Sequence, residues 1–131
     1  MNISKKQKRF LALEKRMAVQ SQYGSIKHGA VLVKGSRIIN ASYNKGSFCS
    51  FGKRFYPHPQ GNSTLHAELG CILNLDRSIT QGANIYVVRV GPAGNFMISK
   101  PCKMCQAALL HVGVKKVYYT NEQGKLESYK L

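Results

Sequence analysis

The sequence predicts an α/β fold, a sheet with helices packed on its faces that ends in an antiparallel pair of strands. Three observations carry this prediction. The apolar pattern alternates along the 131 residues between helical three- and four-residue steps and short Val/Ile-rich runs, giving the order α-β-β-α-β-α-β-β. Helices and sheets each have one apolar side to bury, so helices must cover the sheet. The last two strands are separated by only four or five residues, and a parallel crossover needs about a dozen.

Residues 5–19 read as the first helix. Phe10, Leu13, Met17 and Ala18 recur at helical spacing, and Lys5, Lys6, Lys8, Arg9, Lys15 and Arg16 fill the other positions. Tyr23-Gly24-Ser25 ends it. Residues 29–33 and 37–43 are strand-like and flank Lys34-Gly35-Ser36, so they form a hairpin. Residues 44–63 hold three Gly and two Pro and read as a long loop, a length that in a compact domain signals function or mobility. Residues 64–75 read as a helix with Leu65, Leu69, Ile72 and Leu73 as its core stripe and Asn62 or Ser63 as its cap. Residues 83–90 are apolar enough for a central strand. A second loop, 91–100, leads to Pro101, suited to the first position of a helix that runs to His111 and stops at Gly113. Residues 114–120 and 125–130 are the closing strands. Neither repeats nor a second domain are visible, so residues 1–131 are expected to be one domain, with residues 1–20 its basic N-terminal helix.

Composition narrows the functional classes. A hydrophobic share of 44% supports a core and argues against disorder. No apolar run reaches membrane-spanning length, and the polar, basic start lacks the apolar segment of a secretory signal, so an intracellular, non-membrane protein is expected. Twenty Lys and Arg oppose five Asp and Glu, a net charge of +15 that attracts anionic substrates and polyanions.

The chemistry concentrates in two short motifs. His66-Ala67-Glu68 is followed, 33 residues after Glu68, by Pro101-Cys102-Lys103-Met104-Cys105. One imidazole, two thiolates and an unligated carboxylate make a three-ligand zinc site with an open position and a proton carrier. Cys102 and Cys105, three apart, share a helix face in the first turn, where the helix dipole favours thiolate. Glu68, two residues from His66, diverges from it on a helix and stays free to move protons. Elimination agrees: Glu14 lies in a basic helix, and Glu122 and Glu127 flank a late turn. Carboxylate chemistry therefore falls on Glu68, with Asp76 second. The other reading is a closed structural zinc knuckle, which needs a fourth ligand such as Cys71, His58 or His111. Otherwise Cys71 reads as a core thiol, His28 as a residue with a local hydrogen bond, and His111 as a helix end.

The H-x-E and P-C-x-x-C motifs are those of zinc nucleobase deaminases, and over residues 26–119 the chain resembles the cytidine and deoxycytidylate deaminase superfamily. The resemblance implies a three-layer α/β/α sandwich around a five-stranded mixed sheet. It implies one zinc held by His66, Cys102 and Cys105, with Glu68 as the catalytic proton shuttle of a hydrolytic deamination. Ala67 matches the residue whose N–H holds the base carbonyl. Asn44 matches a sugar-contacting asparagine, although Asn-Lys-Gly also suits a plain turn. Pro101 and Lys100 occupy substrate-contact positions; many members carry Ser or Glu where Lys100 stands, and Ser99 is one step earlier. The short final hairpin is similar to the free-cytidine branch, which commonly uses three cysteines rather than a histidine. Cys49 and His58 suggest a second structural zinc, but two ligands are too few.

The expected substrate is cytosine in a free cytidine or deoxycytidine nucleoside or nucleotide of deoxycytidylate type, giving uracil and ammonia. The alternative is cytosine, or adenine, in single-stranded DNA or RNA. Phe48, Phe51, Phe55 and Tyr56 interleave with Lys45, Lys53 and Arg54 in the long loop, as strand binding by stacking requires. These rings serve equally as packing or as a subunit interface, and the resemblance allows a homo-oligomer. A non-catalytic zinc module that binds nucleic acid is the third reading, and Glu68 argues against it.

Overall fold

A computed structural model describes residues 4–20, 27–48 and 64–131 of the chain. Helix α1, Lys5–Val19, begins with a capping box. The Ser4 hydroxyl accepts the Gln7 backbone N–H at 3.1 Å, and the Gln7 side chain returns the bond to Ser4 N–H at 3.2 Å. The face that α1 buries is Phe10, Leu11, Glu14 and Ala18. The expected stripe was one position off, since Leu13 and Met17 are only half-buried. Gly29 explains the choice. A Cβ there would stand 2.1 Å from the Glu14 carbonyl oxygen and 2.9 Å from the Ala18 nitrogen, so only glycine lets the helix backbone lie this close to the sheet.

Strands β1 (Lys27–Lys34) and β2 (Arg37–Tyr43) form the expected hairpin. The expected loop 44–63 begins as a strand. Strand β3 (Lys45–Phe48) pairs antiparallel with β4 (Thr64–Leu65), joining Lys45 to Leu65 and Phe48 to Thr64. Residues 49–63, with Cys49, Phe51, Lys53, Arg54, Phe55, Tyr56 and His58, lie outside the described residues.

The single helix expected over 64–75 is replaced by β4, helix α2 (Ala67–Ile72) and, after a break, helix α3 (Arg77–Thr80). His66 is extended at the N-cap of α2. At the other end Leu73 is extended and Asn74 takes φ +62°, a conformation asparagine tolerates and most side chains do not. Asp76 caps α3 by accepting the Ser78 N–H at 3.0 Å, so this exposed second-choice carboxylate has a structural task.

Strand β5 (Asn84–Val90) is central, with β6 (Phe96–Met97) folding back on its end. Helix α4 (Lys103–His111) ends at Gly113, which takes φ +85°. Strands β7 (Lys116–Thr120) and β8 (Leu126–Lys130) close the sheet. The sheet order is β2-β1-β5-β7-β8. Only β5 and β7 are parallel, joined through α4, and β7 and β8 form the expected antiparallel hairpin.

Side-chain alternation along the strands divides the core in two. Val31, Val33, Tyr86, Val88 and Val90 face α1. Ala30, Leu32, Ile85, Val87 and Val117 face α2 and α4 through Leu69, Ile72, Met104, Ala108 and Leu109. The result is the three-layer α/β/α sandwich around a mixed sheet.

Candidate metal centre and active site

His66 and Cys102 are each the N-cap residue of a helix, α2 and α4, and neither side chain is used for capping. N-cap side chains point toward free backbone N–H groups, so here two such ends bring an imidazole and a thiol to one point. Pro101 precedes the cap rather than opening the helix, and Cys102 is the cap rather than a first-turn residue. The first helical bonds run from Gly70 N–H to His66 O at 3.0 Å and from Gln106 N–H to Cys102 O at 2.9 Å. The Gln106 side chain also donates to Pro101 O at 2.9 Å, tying the helix to its entry segment.

That segment is clamped to the sheet by two hydroxyls. Ser99 Oγ donates to Val87 O at 2.7 Å and accepts Thr120 N–H at 2.8 Å. Thr120 Oγ1 donates to Met97 O, and Ser99 N–H donates to Thr120 O at 2.9 Å. Ser99 thus anchors the chain between β5 and β7 three residues before Cys102.

His66 Nδ1 lies 3.3 Å from Cys105 Sγ and 3.8 Å from Cys102 Sγ, and the three donor atoms all lie within 4.8 Å of one another. Tetrahedral zinc bonds of about 2.0 Å to nitrogen and 2.3 Å to sulfur separate neighbouring donors by about 3.5 Å. The set therefore fits zinc in distance and in donor chemistry. No fourth ligand joins it among the described residues. Cys71 is buried in the core, donating to Ala30 O at 3.2 Å, and His111 is the exposed last residue of α4. His58, the third candidate for a fourth ligand, lies outside the described residues.

The local electrostatics suit a metal. The Cys105 thiol and then His66 hydrogen-bond Cys102 and hold its pKa down to about 4. The Cys102 sulfur raises the pKa of His66. Glu68, in the first turn of α2, is buried, and burial raises its carboxyl above the ordinary value against the opposing pull of its own backbone N–H and of His66. Burial thus favours the neutral acid more than it would in an exposed carboxyl.

Asn44 is buried at the end of β2. Its Oδ1 accepts His28 N–H at 2.9 Å, and its own N–H donates to His28 O at 3.3 Å. Ala67 is buried at the first position of α2. Lys100 is exposed, with its ammonium 5.3 Å from the centre of the Tyr129 ring.

Near the centre, Arg89 and Tyr129 escaped the sequence reading, and His28 was read only for a local hydrogen bond. His28 and Arg89 are cross-strand partners on β1 and β5, and burial, Arg89 and then His66 push the His28 pKa down to about 4. Tyr129 on β8 is raised to about 12 by burial, with smaller contributions from Glu68 and others. Arg89 did leave a signal, as the one charged residue in the run Ile85-Tyr86-Val87-Val88-Arg89-Val90.

A family model described as the cytidine and deoxycytidylate deaminase zinc-binding region matches residues 4–121. An uncharacterized deaminase from the luxG 3′ region of Aliivibrio fischeri is 30% identical over 88% of this chain and 73% of its own length. ComE operon protein 2 of Bacillus subtilis is 28% identical over 86% of this chain, which spans only 58% of that relative. Among solved structures, the dCMP deaminase of the cyanophage S-TIM5 superposes with a TM-score of 0.63 at 25% identity, covering 93% of this chain and 86% of that one. Sequence, fold and metal centre agree, and the chain belongs to the cytidine and deoxycytidylate deaminase family of zinc-dependent hydrolytic enzymes.

Proposed function

We propose that this enzyme hydrolyses the exocyclic amine of cytosine in a free deoxycytidylate-like nucleotide or its nucleoside, releasing ammonia and leaving uracil. The observation that carries this reading is Glu68. It is a buried carboxyl in the first turn of the helix that His66 caps, beside the thiol pair yet outside the ligand set. A purely structural site has no need of it.

When bound, zinc lowers the pKa of water from about 16 toward about 7, which supplies a nucleophile at neutral pH. Glu68 takes one proton from water and delivers it to the ring nitrogen while the hydroxide oxygen bonds to the amine-bearing carbon; it then passes the remaining hydroxyl proton to the amine, whose C–N bond breaks to release ammonia. Ala67, at the first helical position, has a backbone N–H with no intrahelical acceptor, and this donor is suited to the base carbonyl. Asn44 contacts the sugar, and Lys100 and Pro101 form the wall beside Cys102.

A free nucleotide is favoured over a strand by the position of the basic helix. Helix α1 packs on the sheet face opposite α2 and α4, so its exposed Lys and Arg side chains lie away from His66 and Cys102. An intracellular setting suits free thiol ligands, since reducing compartments keep such thiols unoxidised.

Ammonia release by the zinc-loaded protein, compared on deoxycytidine, deoxycytidylate, adenine nucleotides and a cytosine-containing single strand, tests the reading. Turnover confined to the strand moves the substrate assignment to polynucleotide. No turnover on any of them removes it.

A further inference from the structure

Asn44, His28, Arg89 and Met97 form one row at the end of the sheet. Asn44 is hydrogen-bonded to His28, His28 is in register with Arg89, and Arg89 with Met97. Residues in register across antiparallel strands share a face. Ala30 and Val87, the next inward pair, face α2 and α4, so His28 and Arg89 belong to the face that carries the metal ligands. His28 feels the charges of Arg89, His66 and Cys102, so these groups lie near one another on this face.

Arg89 is half-buried, and its Nε is fully buried with no hydrogen-bond acceptor. The chain also holds no obvious counter-anion for it. Of the five acids, Glu14 is buried under α1 on the opposite face. Asp76 caps α3, Glu127 accepts the Asn121 side chain at 2.6 Å, and Glu122 is exposed in the β7–β8 turn. Glu68 stands at the metal centre, and Arg89 makes no ion pair with it. A buried donor without an acceptor is costly and rare in folded proteins. No group among the described residues accepts this donor. A guanidinium fork matches the oxygens of a phosphate better than any other common anion except carboxylate.

We propose that Arg89 is a substrate-binding residue that takes the 5′-phosphate monoester of a mononucleotide, and so makes the enzyme select nucleotides over nucleosides. This rests on the free-nucleotide reading and deepens it. In this assignment the base lies at the metal centre, the sugar at Asn44 and the phosphate at Arg89, two strands away from Asn44 in the row. A single half-buried cation in a recess suits a compact monoester better than a continuous backbone, which needs a run of exposed cations.

The test is titration calorimetry of the zinc-loaded protein with deoxyuridylate and deoxyuridine, the non-reacting products, and with a short oligodeoxycytidine. Wild type is expected to bind deoxyuridylate about 10- to 100-fold more tightly than deoxyuridine, the range for a charge-assisted contact. Arg89→Gln should abolish that ratio and leave deoxyuridine binding within about twofold, while Arg89→Lys restores part of it. Unchanged zinc content and melting temperature in both variants exclude misfolding. An unaltered ratio in Arg89→Gln, or equal losses for both ligands, overturns the role of Arg89 and leaves the substrate class standing. Binding of the oligonucleotide alone overturns the substrate class as well.

Discussion

His66 and Cys102 stand at the N-caps of two different helices with Nδ1 and Sγ 3.8 Å apart. The metal centre is therefore a property of how α2 and α4 meet, and each ligand depends on the other helix being in place. Replacing either residue should reduce bound zinc from one per chain to a small fraction. Cys102→Ala also removes a partner of the Cys105 thiol, so a lower melting temperature is expected too. Metal content by plasma mass spectrometry after gel filtration checks this, and a variant that retains stoichiometric zinc contradicts the ligand set.

Glu68→Ala separates holding the metal from using it. Zinc content should stay at the wild-type level, and turnover should fall by about 10²- to 10⁴-fold, the usual worth of a positioned acid–base group. Glu68→Gln should behave alike, because an amide keeps the shape and cannot carry the proton. Substantial turnover in either variant would falsify the assignment.

Glu14 is wholly buried against β1 and β5, and neither carboxylate oxygen has a hydrogen-bond partner. Burial raises its pKa well above the ordinary 4.5, so the folded state favours the neutral acid. The sign follows from linkage: its contribution is full below about pH 4.5 and declines as pH rises from there toward the raised folded value. Glu14→Leu should be more stable than wild type at pH 8, by about 1–3 kcal/mol for relieving an unpaired buried polar group. The gain should shrink toward pH 5. Urea unfolding at the two pH values measures both quantities, and a destabilised Glu14→Leu at pH 8 contradicts the account.

Ser99 Oγ serves Val87 O and Thr120 N–H together. Ser99→Ala leaves both groups buried and unpaired, which should cost about 1–3 kcal/mol. It should also loosen the entry to Cys102 and lower turnover at saturating zinc. Thermal unfolding and steady-state kinetics of the zinc-loaded variant test this, and wild-type values in both would show that Ser99 anchors nothing.

The order of the main helices and strands, the β1–β2 and β7–β8 hairpins, and the grouping of His66, Cys102 and Cys105 were legible in the sequence. Each is a local pattern: a periodicity, a short turn, or a spacing that places two thiols on one helix face. The buried stripe of α1 was not, because Gly29, a residue in another element, decides which face approaches. The break at Asn74 and the short pairing of β3 with β4 were missed for a similar reason, since the apolar spacing of Leu65, Leu69, Ile72 and Leu73 suits a longer helix. Pro101 was expected at the first helical position but stands two positions earlier, before the Cys102 cap.

The sequence by itself determined the zinc donor set and singled out Glu68 as the proposed proton carrier, since donor types and their spacing are covalent facts. Only the tertiary structure decided that Glu14 is buried without a partner and that Arg89, held beside His28 by strand register, shares a face with the metal ligands. Register and helix approach arise from packing between residues distant in the chain, and no local pattern encodes them.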